Sequence, residues 1–235
     1  MTATQPFATS FTEAWQQFST QRTTADESAF PFYQAMRERK SSFMAFLIPI
    51  VGSSIVEATR PAREALTQAG ILDVLPSHYF HITVLPIALA NDLPAGSIAR
   101  MMDRTSRALR GIPSLRLTLR GVNSFTSAAF VEVHDTQGTL LLVRNALREA
   151  MNRTGIPGFG ADSPEDLHEA PFLPHMSLCY YREQYPTAEV GTALEPFRDM
   201  EIGSLRVDSI ILAAMPYSDY DRFPEITRIA DLLLG

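Results

Sequence analysis

The sequence predicts an α+β fold in which two αβ lobes, each with an antiparallel sheet, face one another across a central cleft. Three observations predict it. From residue 41 onward, short apolar runs alternate with helix-length amphipathic stretches. The order strand, helix, strand, helix, strand occurs twice. The middle strand of each half carries one small pattern, "HITV" at 81–84 and "HMSL" at 175–178, in a chain with only 5 histidines.

Residues 1–40 form a helical extension, interrupted at Pro31, and residues 41–235 form the bilobal domain. Within the extension, Phe11, Trp15 and Phe18 make an apolar edge at helical spacing, suited to packing on the lobes. "SFMAFLIPI" (42–50) is too short for a typical helix and reads as a buried strand. "GSSIVEATRPAREALTQAG" (52–70) reads as a helix capped by Ser53 or Ser54, ended by Gly70, and bent or split at Pro61. "HYFHITVLPI" (78–87) is rich in β-branched and aromatic residues, as strands are. A helix over 95–111 comes next, closed by Gly111, and then "SLRLTLRGV" (114–122), which alternates with period two.

The second half repeats the plan. "AAFVEVHD" (128–135) is a strand, 138–155 a helix, "PFLPHMSLCYY" (171–181) a strand, 187–197 a helix and "SLRVDSIILAAMPY" (204–217) a strand. The halves share architecture with little residue-level identity beyond the tetrads. Two such units related by a pseudo-two-fold axis place the two tetrads on the axis, facing each other.

Alternate side chains share a face of a strand. His81 and Thr83 therefore point one way, with Tyr79, while Phe80, Ile82 and Val84 point the other. His175, Ser177, Cys179 and Tyr181 share a face in the second copy. Each strand is apolar on one side and carries an imidazole beside a hydroxyl on the other. Two imidazoles and two hydroxyls around a cleft suit phosphate-ester chemistry. One neutral histidine takes a proton from the attacking oxygen, and a protonated histidine gives one to the leaving oxygen. The hydroxyls donate to non-bridging phosphate oxygens. This chemistry needs no metal and no other cofactor.

Two His-φ-Ser/Thr-φ tetrads 94 residues apart in a duplicated αβ arrangement resemble the 2H phosphoesterase superfamily over roughly residues 43–217. That group includes 2′,3′-cyclic-nucleotide phosphodiesterases and 2′-5′ RNA ligase-like enzymes. The resemblance implies His81 and His175 as the catalytic pair, with Thr83 and Ser177 binding phosphate, and a bilobal fold. It implies hydrolysis of a 2′,3′-cyclic phosphate or 2′-5′-type linkage on a nucleotide or short RNA end. His175 is read as base and His81 as acid, and the pseudo-symmetry leaves the reverse assignment open. Related activities use the same four residues: cleavage of cyclic di- or oligonucleotides, RNA 3′-end trimming, or nucleotide binding without turnover. "FLPHMSL" resembles the second motif of the cyclic phosphodiesterase branch. The arginine that often comes after the second tetrad in the RNA ligase-like branch is missing here, where Cys179, Tyr180 and Tyr181 precede Arg182.

Tyr79 and Tyr181 are read as lining the pocket. Phe159, at the tip of the loop "GIPGFGADSPEDLHEA" (155–170), is read as touching substrate from a lid. His78 and His81 face opposite sides of a strand, so no metal pair is expected. His134 and His168 read as surface residues, and Cys179 as an inert buried thiol.

Composition sets the surroundings. With 46% hydrophobic residues the chain can bury a full core. Its net charge of −6 and pI of about 5.4 argue against gripping long nucleic acid, though not against a small anionic ligand. The basic residues are nearly all arginine, and Lys40 is the only lysine. One cysteine precludes an internal disulfide, and neither a signal-like segment nor a membrane-length apolar run is present, so a cytoplasmic setting is expected.

Overall fold

A computed structural model describes residues 8–26, 31–154, 171–218 and 222–235. Loop 155–170, with Phe159 and His168, lies outside the described residues. The fold is α+β, as the sequence predicts. Six α-helices accompany eight strands in the described residues: α1 (Phe11–Thr20), α2 (Pro31–Arg39), β1 (Phe43–Pro49), α3 (Ser53–Gln68), β2 (His81–Leu89), α4 (Ser97–Leu109), β3 (Leu115–Ser124), β4 (Ala128–His134), α5 (Thr139–Asn152), β5 (His175–Tyr180), α6 (Thr187–Leu194), β6 (Glu201–Val207), β7 (Ser209–Met215) and β8 (Thr227–Leu233).

The expected two sheets are one. All eight strands join in the order β6-β3-β4-β5-β2-β1-β7-β8, antiparallel throughout. The seam is the β2–β5 contact, held by a single register pair, Ile82 opposite Met176, both fully buried. Around that seam the order is symmetric: each tetrad strand is flanked outward by the strand that precedes its connecting helix, β1 beside β2 and β4 beside β5.

Two assignments differ from the sequence reading. β3 comes after α4 in the chain but pairs with β4 and β6, across the seam from β1 and β2. The run 204–217 is two strands, not one. β6 ends at Val207 and β7 begins at Ser209, leaving only Asp208 between them. In a flat sheet six strand spacings, about 29 Å, would separate these strands. The two Cα steps from Val207 to Ser209 span at most about 7.6 Å, so the sheet must curl to bring its β6 edge back toward β7. At the other edge, β8 pairs with β7.

Helix α3 runs unbroken through Pro61. It starts after Gly52 without a side-chain cap, rather than with Ser53 or Ser54 as the cap. Gly70 ends it at φ +83°, a left-handed conformation open to glycine. Helix α1 has a built N-terminus. Ser10 Oγ accepts from the Glu13 N–H at 3.1 Å, and Glu13 reaches back to the N–H and hydroxyl of Thr9. In β3, Gly121 at φ +73° carries a register shift against β4. A Cβ there would lie 2.7 Å from the Arg198 carbonyl, so the position demands glycine. Helices α4 and α5 pack together, as do α3 and α6; a large apolar core runs between the helices and the sheet, and a second small cluster gathers around Phe130.

Candidate active site

Each tetrad begins its strand. His81 opens β2 and His175 opens β5, and the two strands run antiparallel about Ile82 and Met176. That register puts His81 across from the position of Ser177, and Thr83 across from that of His175. Each imidazole thus neighbours the hydroxyl of the other tetrad. In both strands the apolar neighbours are buried, whereas Thr83, His175 and Ser177 reach solvent and His81 remains 8% exposed. Neither Thr83 nor Ser177 spends its hydroxyl on a partner among the described residues.

The same bond orients both imidazoles. His81 Nδ1 lies 2.7 Å from the Tyr79 carbonyl, and His175 Nδ1 lies 2.7 Å from the Leu173 carbonyl. A carbonyl only accepts, so each Nδ1 carries a proton and, in the neutral ring, each Nε2 keeps its lone pair. Burial pushes His81 down to about 4, helped by the positive charge His175 would carry; the bond to Tyr79 opposes this. Burial lowers His175 as well, against its bond to Leu173. In the resting site at neutral pH both rings are therefore neutral.

Each tetrad has a bulge at its fourth residue. β1 pairs Phe46 with Leu85 and Leu47 with Thr83, which leaves Val84 without a partner. β4 pairs Ala129 with Cys179 and Phe130 with Ser177, which leaves Leu178 without one. The freed carbonyls are both satisfied. Buried Arg144 of α5 donates to Val84 O at 2.6 Å, and the Leu75 N–H donates to Leu178 O at 2.8 Å. An extra strand residue re-aims the side chains beyond it, and such bulges gather at functional sites.

These bulges correct the reading of the pocket walls. Strict alternation carried from His175 through Ser177 places Cys179 and Tyr181 on the reactive face. The extra residue at 178 shifts the alternation, and both side chains are fully buried. Tyr181 spends its hydroxyl on Ser124 Oγ at 2.9 Å and presents no surface to a ligand. Cys179 is the inert thiol expected, pushed up to about 12 by burial. Tyr79 sits in a short 3₁₀ turn before β2, 3% exposed, its ring edge-on to His81 at 5.6 Å and against Phe223 at 5.5 Å. It backs His81 rather than offering a stacking face. His134 is no plain surface residue either: it pairs with Glu132 at 3.2 Å under the Phe11 ring. Arg182 leaves the tetrad face, lying over Phe223 and 4.0 Å from buried Asp73.

The structure also adds residues that the motifs do not announce. Phe125 and Phe130, stacked at 4.2 Å, hold the His175 ring at 5.1 and 5.3 Å. Phe125 is partly exposed and Phe130 is buried. Nothing in "NSFTSAAF" distinguishes these phenylalanines from core residues. Among the described residues no group of three or more His, Cys, Asp or Glu is placed to hold a metal ion, and no helix is long and apolar enough to cross a membrane.

A curled antiparallel sheet with paired His-φ-Ser/Thr-φ strands at its seam defines the 2H phosphoesterase class of fold and site. The sequence matches the family model of the 2′-5′ RNA ligase superfamily over residues 53–215, and the chain belongs to that superfamily. Solved structures share the fold. TT0787 of Thermus thermophilus is 17% identical with a TM-score of 0.61, covering 82% of this chain and 97% of its own. E. coli LigT in apo form is 17% identical with a TM-score of 0.58, covering 83% and 98%. LigT complexed with 3′-AMP superposes with a TM-score of 0.57 at 16% identity, covering 83% and 98%. No curated protein matches the sequence.

Proposed function

We propose that the protein is a metal-independent phosphodiesterase that opens a 2′,3′-cyclic phosphate or a 2′-5′-type linkage on a nucleotide or short RNA end. One observation carries the reading: two imidazoles, each fixed through Nδ1 with Nε2 left for chemistry, stand beside two hydroxyls without partners among the described residues. The fold neighbour LigT has been solved with ATP and with 3′-AMP, which supports a nucleotide as ligand.

In this reading His175 Nε2 takes a proton from water as the water oxygen bonds to phosphorus. The bond from phosphorus to the leaving ribose oxygen breaks, and that oxygen receives the proton on His81 Nε2. His81 must be protonated for this step. Bound phosphate supplies the negative charge that raises its affinity for a proton. The Thr83 and Ser177 hydroxyls donate to the non-bridging oxygens as charge builds there.

The test is a panel of four 2′,3′-cyclic nucleotides and a 2′-5′-linked dinucleotide, with chromatography of the products. Turnover of at least one substrate, abolished in His175→Ala, supports the reading. Tight binding of the panel without products would replace it with a nucleotide-binding role.

A further inference from the structure

Helix α1 lies wholly outside the family match, which begins at residue 53, yet it reaches the site. We propose that α1 is a positioning element of the active site, and that Phe11 holds the His175 imidazole in place through Phe130. The inference rests on the proposed role of His175.

The contacts form a continuous path. The Phe11 ring lies 6.1 Å from that of Phe130, and Phe130, fully buried, lies 5.3 Å from His175. Phe130 also stacks on Phe125, the other wall of the imidazole. A ring held by one hydrogen bond at Nδ1 can still pivot about it, and these two phenyl rings remove that freedom. Phe130 keeps its own place only if its far side is filled, and Phe11 fills it, together with Ala8 and Ala14.

The helix is fastened where this matters. Asn123 Nδ2 donates to the Phe11 carbonyl at 2.9 Å and to Glu132 at 2.7 Å. The Arg198 guanidinium lies 4.1 Å from the Trp15 ring centre while donating to Val122 O at 2.7 Å. Past the helix, the Ala25 N–H donates to Thr126 O at 2.8 Å, one residue from Phe125. The extension therefore grips the Phe125–Phe130 clamp from both sides. Charged and titratable neighbours at this contact are Glu132, His134 and Arg198. A helix that only covered apolar surface would need none of these polar ties to the strand turn beside the site.

The test compares Phe11→Ala, Phe11→Leu and Trp15→Ala in the full chain. NMR of ¹³C-labelled histidine tracks each imidazole through a pH titration, and steady-state kinetics give kcat and KM. Phe11→Ala is expected to raise the His175 midpoint toward its ordinary value, leave His81 unchanged, and lower kcat about tenfold with KM within about twofold. Phe11→Leu restores most of both. Trp15→Ala lowers the melting temperature without moving His175. A Phe11→Ala protein that loses stability but keeps its His175 titration and kcat would overturn the proposal, as would equal His175 shifts in Phe11→Ala and Trp15→Ala. The titration needs no substrate, so failure to find turnover would leave this result readable.

Discussion

His81 and His175 are held by one and the same device, an Nδ1–H donated at 2.7 Å to the carbonyl two residues earlier, from strands that meet at a single register pair. The strand start explains this. Residues 79 and 173 lie just before their strands, where a carbonyl is free of the ladder and can accept a side chain. The bond fixes ring orientation and tautomer together, so in the neutral ring each Nε2 keeps its lone pair.

The two histidines should behave as a unit. His81→Asn and His175→Asn should each lower kcat by roughly 10²–10⁴-fold, and the double variant should be little worse than the poorer single one. Steady-state rates on the best substrate of the panel check this. Multiplicative losses would contradict a shared transition state.

Acidity should destabilise the fold through His81. Its folded imidazole is pushed down to about 4 while the unfolded chain titrates near 6.5, so between these values the unfolded chain binds more protons. Stability is then fully present above about pH 6.5 and is lost as pH falls toward about 4, by about 3 kcal/mol in all. Urea midpoints across this range should fall less steeply for His81→Gln. Parallel curves for the two proteins would show that His81 is not the group responsible.

The pH–rate profile carries the same sign. The proposed mechanism needs one ring protonated and one neutral, and both rings resist protonation in the free protein. The optimum of kcat/KM should therefore lie on the acid side, below about 6.5, with that of kcat at higher pH because bound phosphate favours the imidazolium. Coincident optima near 7 would count against two depressed imidazoles.

Arg144 should matter to the fold more than its position on α5 suggests. It is buried, satisfies the carbonyl freed at Val84, and lies 4.5 Å from the Phe172 ring centre. Arg144→Met removes a charged donor and leaves that carbonyl unpaired, at a cost of about 2–3 kcal/mol. Thr83→Val, one residue away, should instead keep stability within about 1 kcal/mol and lower kcat roughly 10²-fold. Denaturation midpoints and kcat measured side by side separate the two effects.

The tetrads were legible because their chemistry is local. A histidine and a hydroxyl two apart on a strand share a face whatever the rest of the chain does, and both tetrads do lie on strands, although these begin at His81 and His175 rather than at 78 and 171. Strict alternation misplaces Tyr181 because it extends only to the next bulge, and Leu178 carries no mark of being one. The run 204–217 reads as one strand because only Asp208 interrupts it, and its partners, β3 and β1, lie far away in sequence. The aromatic clamp on His175 is invisible for a related reason: Phe125 and Phe130 meet across the local β3–β4 turn, but His175 and Phe11 reach them only through long-range contacts, and each ring looks like ordinary core in its own segment.

The central claim, phosphodiester hydrolysis by a histidine pair without a metal, is tested most directly by phosphorus NMR of a 2′,3′-cyclic nucleotide with excess EDTA, for the native protein and for His81→Ala/His175→Ala. The account predicts conversion to a single monoester by the native protein, undiminished by EDTA, and none by the variant. Conversion that stops with EDTA, or that continues in the variant, would contradict it.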